Sequence, residues 1–178
     1  TMNGLEALFG LHGRVAVVTG GTGVLGRALA HGLAQAGARV GVLGRRREAA
    51  EAVAQEIAAA GGQAMALAAD VLRREQLEAA RAELLARWGR LDILVNGAGG
   101  NSPAATIPPG GSFFALPAEG LDEVIALNLQ GTLLPCQVFG AAMAERGEGS
   151  VVTISSMAAQ RALTRVLGYG AAKAAVEN

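Results

Sequence analysis

Between Arg14 and Gly37 the chain passes from the β-branched run Arg14-Val-Ala-Val-Val-Thr19, through Gly20-Gly-Thr-Gly23-Val-Leu-Gly26, into an alanine-rich stretch of helical character. A buried parallel strand, a glycine turn and a helix in that order leave few folds open. Glycines permit the tight turn and a close backbone approach, while the helix N-terminus offers free N–H groups and a positive dipole to a pyrophosphate. Gly20, Gly21, Thr22, Gly23, Val24, Leu25 and Gly26 are therefore candidate cofactor-binding residues.

The same alternation continues along the chain. Strands are predicted near 14–19, 39–43, 63–68, 91–96 and 150–155, with helices near 24–36, 46–60, 73–88, 119–146 and from about 167 onward. Helices stop at Gly37, Gly61, Gly89 and Gly147, the residue type suited to a left-handed C-terminal cap. Strand–helix repetition requires crossover connections. The expected fold is α/β: a Rossmann-like, doubly wound parallel sheet with helices on both faces, a three-layer αβα arrangement. With 178 residues, 51% of them hydrophobic, a single domain over 1–178 can bury a substantial core. Trp88, just before Gly89, is expected to anchor a helix on the sheet.

Near the other end stand Ser156, the only tyrosine, Tyr169, and Lys173 in Tyr169-Gly-Ala-Ala-Lys173. On a helix, i and i+4 side chains leave the same face. A lysine cation held beside a phenol favours the phenolate, so the pair can exchange a proton with an alcohol or carbonyl oxygen. Ser156 ends the strand-like stretch Val151-Val-Thr-Ile-Ser-Ser156 and can give that oxygen a second hydrogen bond as charge develops. Alone, the Tyr/Lys spacing is one that many helices carry by chance as a surface pair.

The second strand supplies another pointer. Arg39-Val-Gly-Val-Leu43 runs into Gly44-Arg45-Arg46-Arg47, where a dinucleotide site for a free ribose 2′-hydroxyl carries Asp or Glu. Gly44, Arg45 and Arg46 are thus cofactor candidates, and the arginines suit a 2′-phosphate, favouring NADP(H) over NAD(H). The plain alternative is a solvated helix start, although basic residues in a first turn oppose the helix dipole.

These residues, with Ala69-Asp70-Val71, Asn96-Gly-Ala-Gly99 and Asn128 in Asn-Leu-Gln-Gly131, make the chain resemble a classical short-chain dehydrogenase/reductase over nearly its whole length. The resemblance implies that Asp70 approaches the adenine amino group with Val71 beside it, and that Asn96, Gly97, Ala98 and Gly99 line the cofactor and steady the central strand. It further implies that Tyr169 is the acid/base, that Lys173 tunes it and contacts the nicotinamide ribose, that Ser156 orients the substrate oxygen, and that Asn128 supports a water-linked proton relay. From the residues alone, Asp70 is equally an N-cap and Asn128 equally a satisfied core asparagine. Two departures stand out. The loop reads TGxxGxxG, the spacing of extended, epimerase-like relatives, where the classical pattern is TGxxxGxG; and Gly97 replaces a second asparagine. An extended-type nucleotide-sugar epimerase and a non-catalytic dinucleotide-sensing protein are the alternative functions.

Gly97-Ala-Gly-Gly-Asn101, Ser112-Phe-Phe, Leu133-Leu-Pro-Cys-Gln-Val-Phe-Gly140, Ile154-Ser-Ser-Met157 and Leu163-Thr-Arg165 resemble more narrowly the D-mannonate oxidoreductase (fructuronate reductase) branch, whose members interconvert a sugar acid and its keto form. Arg161 and Arg165 lie between the serine and the tyrosine, where an arginine fork can clamp a carboxylate, although each is equally a surface arginine. Asn101 and Gln160 are polar candidates for sugar hydroxyls. The breaker-rich stretch Gly97–Gly111, at the carboxyl end of the fourth strand, is a candidate flap.

Composition narrows the partners. Fifteen Lys+Arg against fifteen Asp+Glu give a formal net charge of +0, which offers no general attraction to nucleic acid or to an anionic membrane; a small-molecule substrate fits better. Cys136 is the only cysteine, so no internal disulfide is possible, and His12 and His31 form no ligand cluster; no metal site is expected. No membrane span or export signal is legible, and Thr1-Met-Asn-Gly-Leu-Glu lacks a basic region followed by an apolar stretch, so a cytoplasmic location is expected. The family commonly pairs through its two long helices, implying a homodimer or homotetramer. It also continues past the Tyr/Lys helix, so the native polypeptide is expected to extend beyond Asn178.

Overall fold

The computed structural model describes residues 8–178; the opening stretch read above for an export signal lies outside the described residues. Five strands, β1 (Val15–Thr19), β2 (Arg39–Gly44), β3 (Gln63–Ala68), β4 (Ile93–Asn96) and β5 (Ser150–Thr153), form one sheet in the order β3-β2-β1-β4-β5. Every neighbouring pair is parallel. The helices are α1 (Val24–Gln35), α2 (Arg47–Ala59), α3 (Arg74–Trp88), α4 (Ala118–Ile125), α5 (Gly131–Arg146), α6 (Met157–Gln160) and α7 (Leu167–Glu177). This is the doubly wound αβα fold expected from the sequence, with the strand order reversing between β1 and β4.

Side chains of a strand alternate between faces, and here both faces are covered. Val15, Val17, Leu43 and Leu94 join Leu77 and Leu84 of α3 and Phe139 of α5 in one cluster. Val18, Val40, Val42 and Val95 join Ala30 of α1 and Val53 and Ile57 of α2 in the other. Gly41 is needed where it stands: a Cβ there would lie 2.8 Å from Leu67 and 2.9 Å from Leu84, which packs straight onto the strand. Trp88 packs against the first cluster with the Arg39 guanidinium over its ring, the anchoring role expected of it.

Helix ends follow the glycine signals. At the end of α1, Gly37 donates to Ala34 O and Ala38 to Leu33 O, a Schellman closure repeated at Gly61 and Gly62. The predicted single helix over 119–146 is instead α4 and α5 joined by a π turn, Ala126–Gln130, with Pro135 inside α5. Periodicity cannot reveal one inserted residue, and such π turns gather at functional sites. The run Ala118–Arg146 holds an 18-residue window of mean hydropathy 1.3, enough by length and composition to cross a membrane. Its Val124, Val138, Phe139, Ala142 and Met143 are buried in this domain.

The N-terminal edge of the sheet is locked by Asp92. Its carboxylate accepts from Val15 N at 2.8 Å, Arg90 Nε at 2.9 Å and Arg14 Nη1 at 3.1 Å, while its backbone bonds Val15 and Ser150. Burial alone would raise this carboxyl; the bonds from Arg90, the Val15 amide, Arg14 and Arg146 outweigh it and hold Asp92 well below the usual carboxylate range. A carboxyl depressed in the folded state adds stability that is present above its unfolded pKa of about 3.9 and is lost as pH falls below that. Asp92→Asn should therefore cost about 2–3 kcal/mol in urea unfolding at pH 7, and the difference from the parent should shrink as pH is lowered through 4 toward 2.

Candidate active site

Register assembles the site. Thr19 lies opposite Leu43 and Asn96, and Asn96 opposite Thr153, so the turns leaving β1, β2, β4 and β5 open at one edge. Thr19 Oγ1 accepts from Gly97 N and Ala98 N, both at 3.2 Å, tying the glycine turn to the turn after β4. Gly20 has φ +64, and a Cβ on it would stand 2.9 Å from Ala98 Cα. A Cβ on Gly26 would stand 2.1 Å from Gly20 O, whereas one on Gly23 meets only Gly20 O at 3.4 Å. The shifted glycine that gave the loop its epimerase-like spacing is thus not demanded by contacts within the protein.

A cleft of about 990 Å³ opens beside these turns. Gly20, Thr22, Gly23, Val24, Leu25 and Gly26 form one wall. Gly44, Arg45, Asp70 and Val71 form the second, and Gly97, Ala98 and Gly99 the floor toward β4. Gly21 is buried behind the first wall, Arg46 lies outside, and Asn96 is buried below the floor with Nδ2 on Cys136 Sγ at 3.1 Å. The start of α1 has no side-chain cap and no acid in its first turn, which leaves its N–H groups for an anion. Val24 is 90% and Leu25 67% exposed, apolar surface that a bound cofactor would cover. These residues fit a dinucleotide.

At the ribose end, Arg45 and Arg46 are exposed and make no ion pair among the described residues, whereas Arg47 faces Glu83 at 3.6 Å. Asp70 is not an N-cap: α3 begins at Arg74 with Arg73 in the cap position. Asp70 instead closes its own turn, Oδ1 accepting from Leu72 N at 2.9 Å while its N–H reaches Gln76 Oε1 at 2.8 Å.

Tyr169 and Lys173 share one face of α7, with Lys173 Nζ 5.9 Å from the Tyr169 ring centroid. Lys173 is 4% exposed, Nζ donates to Ile154 O at 2.6 Å, and burial pushes the ammonium below the usual lysine value. A Cβ on Gly99 would lie 3.2 Å from this Nζ and 2.8 Å from Asn128 Oδ1. A continuous line of backbone contact therefore runs from Gly20 through Ala98 and Gly99 to Lys173. Asn128 is fully buried in the π turn: Nδ2 donates to Gly100 O at 2.7 Å and to Val124 O at 2.8 Å, and Oδ1 accepts from Gly100 N at 3.0 Å. Ser156 Oγ accepts from Ala158 N at 3.2 Å at the start of α6, leaving its own proton to donate.

Of the substrate candidates, Gln160 and Arg161 are exposed, with no side-chain hydrogen bond or ion pair among the described residues. Asn101 Nδ2 donates to Thr106 Oγ1 at 2.7 Å, and Arg165 Nε donates to Ile107 O. Sequence reasoning missed Asp122, Glu123, Ala126 and Leu127, which line the cleft. Packing across the fold chooses which side of that helix meets the cleft, so helical periodicity carried no signal of it.

A Rossmann-type αβα sheet with a glycine turn at its switch point and a Ser/Tyr/Lys set beside it defines a dinucleotide-binding class of protein. The chain matches the short chain dehydrogenase family over residues 14–178, and it belongs to that family. It is 43% identical over 176 residues to the uncharacterized oxidoreductase UxuB of Bacillus subtilis, covering 94% of this chain and 63% of the relative. It is 38% identical over 165 residues to D-threitol dehydrogenase of Mycolicibacterium smegmatis, covering 93% and 61%. A crystal structure of a candidate D-mannonate oxidoreductase from Haemophilus influenzae with bound NAD superposes with a TM-score of 0.89 at 37% identity, covering 98% of this chain and 66% of that one. The chain thus spans less than two thirds of the length of these two curated relatives.

Gly26→Ala drives a methyl into Gly20 O and should displace the turn, weakening NAD(P)H binding by at least about tenfold, while Gly23→Ala, for which the protein itself has room, should leave the far-UV spectrum and melting temperature unchanged. Fluorescence titration with NADPH and circular dichroism read the two effects.

Proposed function

We propose that the protein is an NAD(P)-dependent oxidoreductase acting on a secondary alcohol/ketone pair. The observation that carries this reading is the burial of Lys173 Nζ between the Tyr169 ring, Ile154 O and the Gly99 turn, at the end of a cleft that fits a dinucleotide. The nicotinamide, when bound, supplies the hydride chemistry. Tyr169 gives or takes the proton at the substrate oxygen, and the Lys173 ammonium stabilises the phenolate this leaves. Ser156, with its proton free to donate, steadies the same oxygen as charge develops. Asn128 clamps Gly100 from below and keeps the floor of the site at a fixed distance from Lys173.

NADP(H) is favoured over NAD(H) because Arg45 and Arg46 have no competing ion pair and suit a 2′-phosphate. The NAD held by the Haemophilus influenzae relative makes the ratio worth measuring. The favoured substrate is a sugar acid of the mannonate/fructuronate type, supported by that likeness and by Arg161, whose exposed guanidinium can meet a carboxylate. We place the protein in the cytoplasm, as a homodimer or homotetramer built on its long helices, with neither nucleic acid nor membrane as partner.

In the full-length polypeptide, Tyr169→Phe should abolish turnover of hexulosonates while NADPH affinity stays within about twofold of the parent; retained turnover ends the assignment. NADPH consumption, followed by absorbance against a panel of keto acids, separates this reading from a redox-neutral epimerase and from a dinucleotide sensor. Arg45→Asp should move the NADP(H)/NAD(H) ratio of kcat/KM toward NAD(H) by about one order of magnitude or more, since a charge-assisted bond to phosphate becomes repulsion. An unchanged ratio would show the arginines to be bystanders.

A further inference from the structure

We infer that Arg165 is a positioning residue that clasps the loop after β4 to the entrance of α7, and not a ligand of the substrate. It is the one non-glycine residue with positive φ among those described, at +73. An L side chain holds that conformation only where its surroundings over-determine it. The surroundings here are a reciprocal pair of bonds to Ile107: Ile107 N donates to Arg165 O at 3.0 Å, and Arg165 Nε donates to Ile107 O.

Both ends of this clasp are fixed to parts of the site. Ile107 precedes Pro108, which confines it to extended backbone. The turn before it is braced by Asn101 Nδ2 on Thr106 Oγ1 at 2.7 Å and by Thr106 Oγ1 on Ser102 O at 2.8 Å. Ala105 is fully buried, and Gly120 of α4 sits so close that a Cβ there would lie 2.5 Å from Ala104 O. On the other side, Arg165 immediately precedes Val166, the N-cap residue of α7, one helical turn before Tyr169. Closing the clasp therefore fixes where the Tyr169 helix starts relative to the floor loop, and with it the width of the opening between the Ser156 and Gly99 segments. The Nε donor of the guanidinium is given to a backbone carbonyl, and this donor geometry is what the clasp uses. Asn101, bonded to Thr106, acts in the same brace, whereas Arg161 and Gln160 have no such bond among the described residues.

The activity half of this inference rests on the oxidoreductase reading above; the clasp itself does not. In the full-length protein, Arg165→Lys keeps the charge but loses the Nε donor, and Arg165→Gly accepts the left-handed backbone while losing the side-chain bond. Hydrogen exchange without substrate should show the peptide containing Ile107 exchanging about tenfold faster in both variants, the effect of losing a hydrogen bond of ordinary net strength. Both should also lose kcat by similar factors on a hexulosonate and on a neutral polyol, with NADPH affinity unchanged. Unaltered exchange at Ile107 overturns the clasp whether or not any substrate is found. Loss confined to KM for the carboxylate substrate, rescued by Arg165→Lys, also overturns it in favour of an anion clamp. Protein that turns over no substrate but shows faster exchange at Ile107 keeps the clasp and sinks the oxidoreductase reading instead.

Discussion

The site depends on how closely two backbone turns approach each other. Gly20 and Ala98 meet with no space for a Cβ between them, and Thr19 Oγ1 holds the contact by accepting from both Gly97 and Ala98 amides. One step further, Gly99 sits against Lys173 Nζ and Asn128 Oδ1. Strand register brings these turns to the same edge, and glycine at positions 20 and 99 lets them close to van der Waals distance. The glycine-turn end of the cleft and the buried lysine are therefore linked through closely packed backbone turns.

The two ends of the sheet divide the work. At the N-terminal edge a carboxylate surrounded by arginines joins β1, β4 and β5 and exposes nothing that could react. At the carboxyl edge the chain accepts irregular backbone: a π turn that carries Asn128 inward, glycines at left-handed φ, and an arginine held in that same region. Left-handed glycines also close the turns that enter the strands, at Gly37, Gly61, Gly89 and Gly147, but the π turn and the left-handed arginine belong to the carboxyl edge, where a rigid scaffold carries its site on loops. Asn128 shows the exchange in one residue. Both of its amide hydrogens go to Gly100 O and Val124 O and its Oδ1 accepts from Gly100 N, so it is both a satisfied core asparagine and the strut under the site.

The strand and helix order, the sheet class and the glycine stops were legible because each rests on local signals: β-branched runs, apolar periodicity and left-handed caps. The clustering of Tyr169 with Lys173 was legible for the same reason, since one helical turn fixes it. What stayed hidden depends on long-range contact. Nothing in the run Leu121–Leu127 announces that Asp122, Glu123 and Ala126 face the cleft, because which side of this helix meets the glycine turns is set by packing across the fold and not by its own periodicity. Asp70 was ambiguous between ligand and cap, and only the actual start of α3 at Arg74 removes the cap. Arg165 looked like one of two equivalent arginines; its left-handed backbone and its bonds to Ile107 separate it from Arg161.

The proposed cofactor selectivity rests on a similar long-range complementarity. Gly44 ends β2 where a strand-terminal acid would meet a ribose hydroxyl, yet a Cβ on it would stand 2.8 Å from Thr22 Cγ2. The Thr22 side chain of the glycine turn fills the space beside Gly44, so an acid placed there would first have to move that side chain. In the proposed reading the first side chain able to reach the ribose is Arg45, which among the described residues is the only basic one lining a cleft that also presents Asp70, Asp122 and Glu123. That guanidinium would be the one cation of the lining to meet a 2′-phosphate. On this reading, selectivity between dinucleotides is tuned one residue beyond the strand, at an exposed position where charge can change without moving backbone.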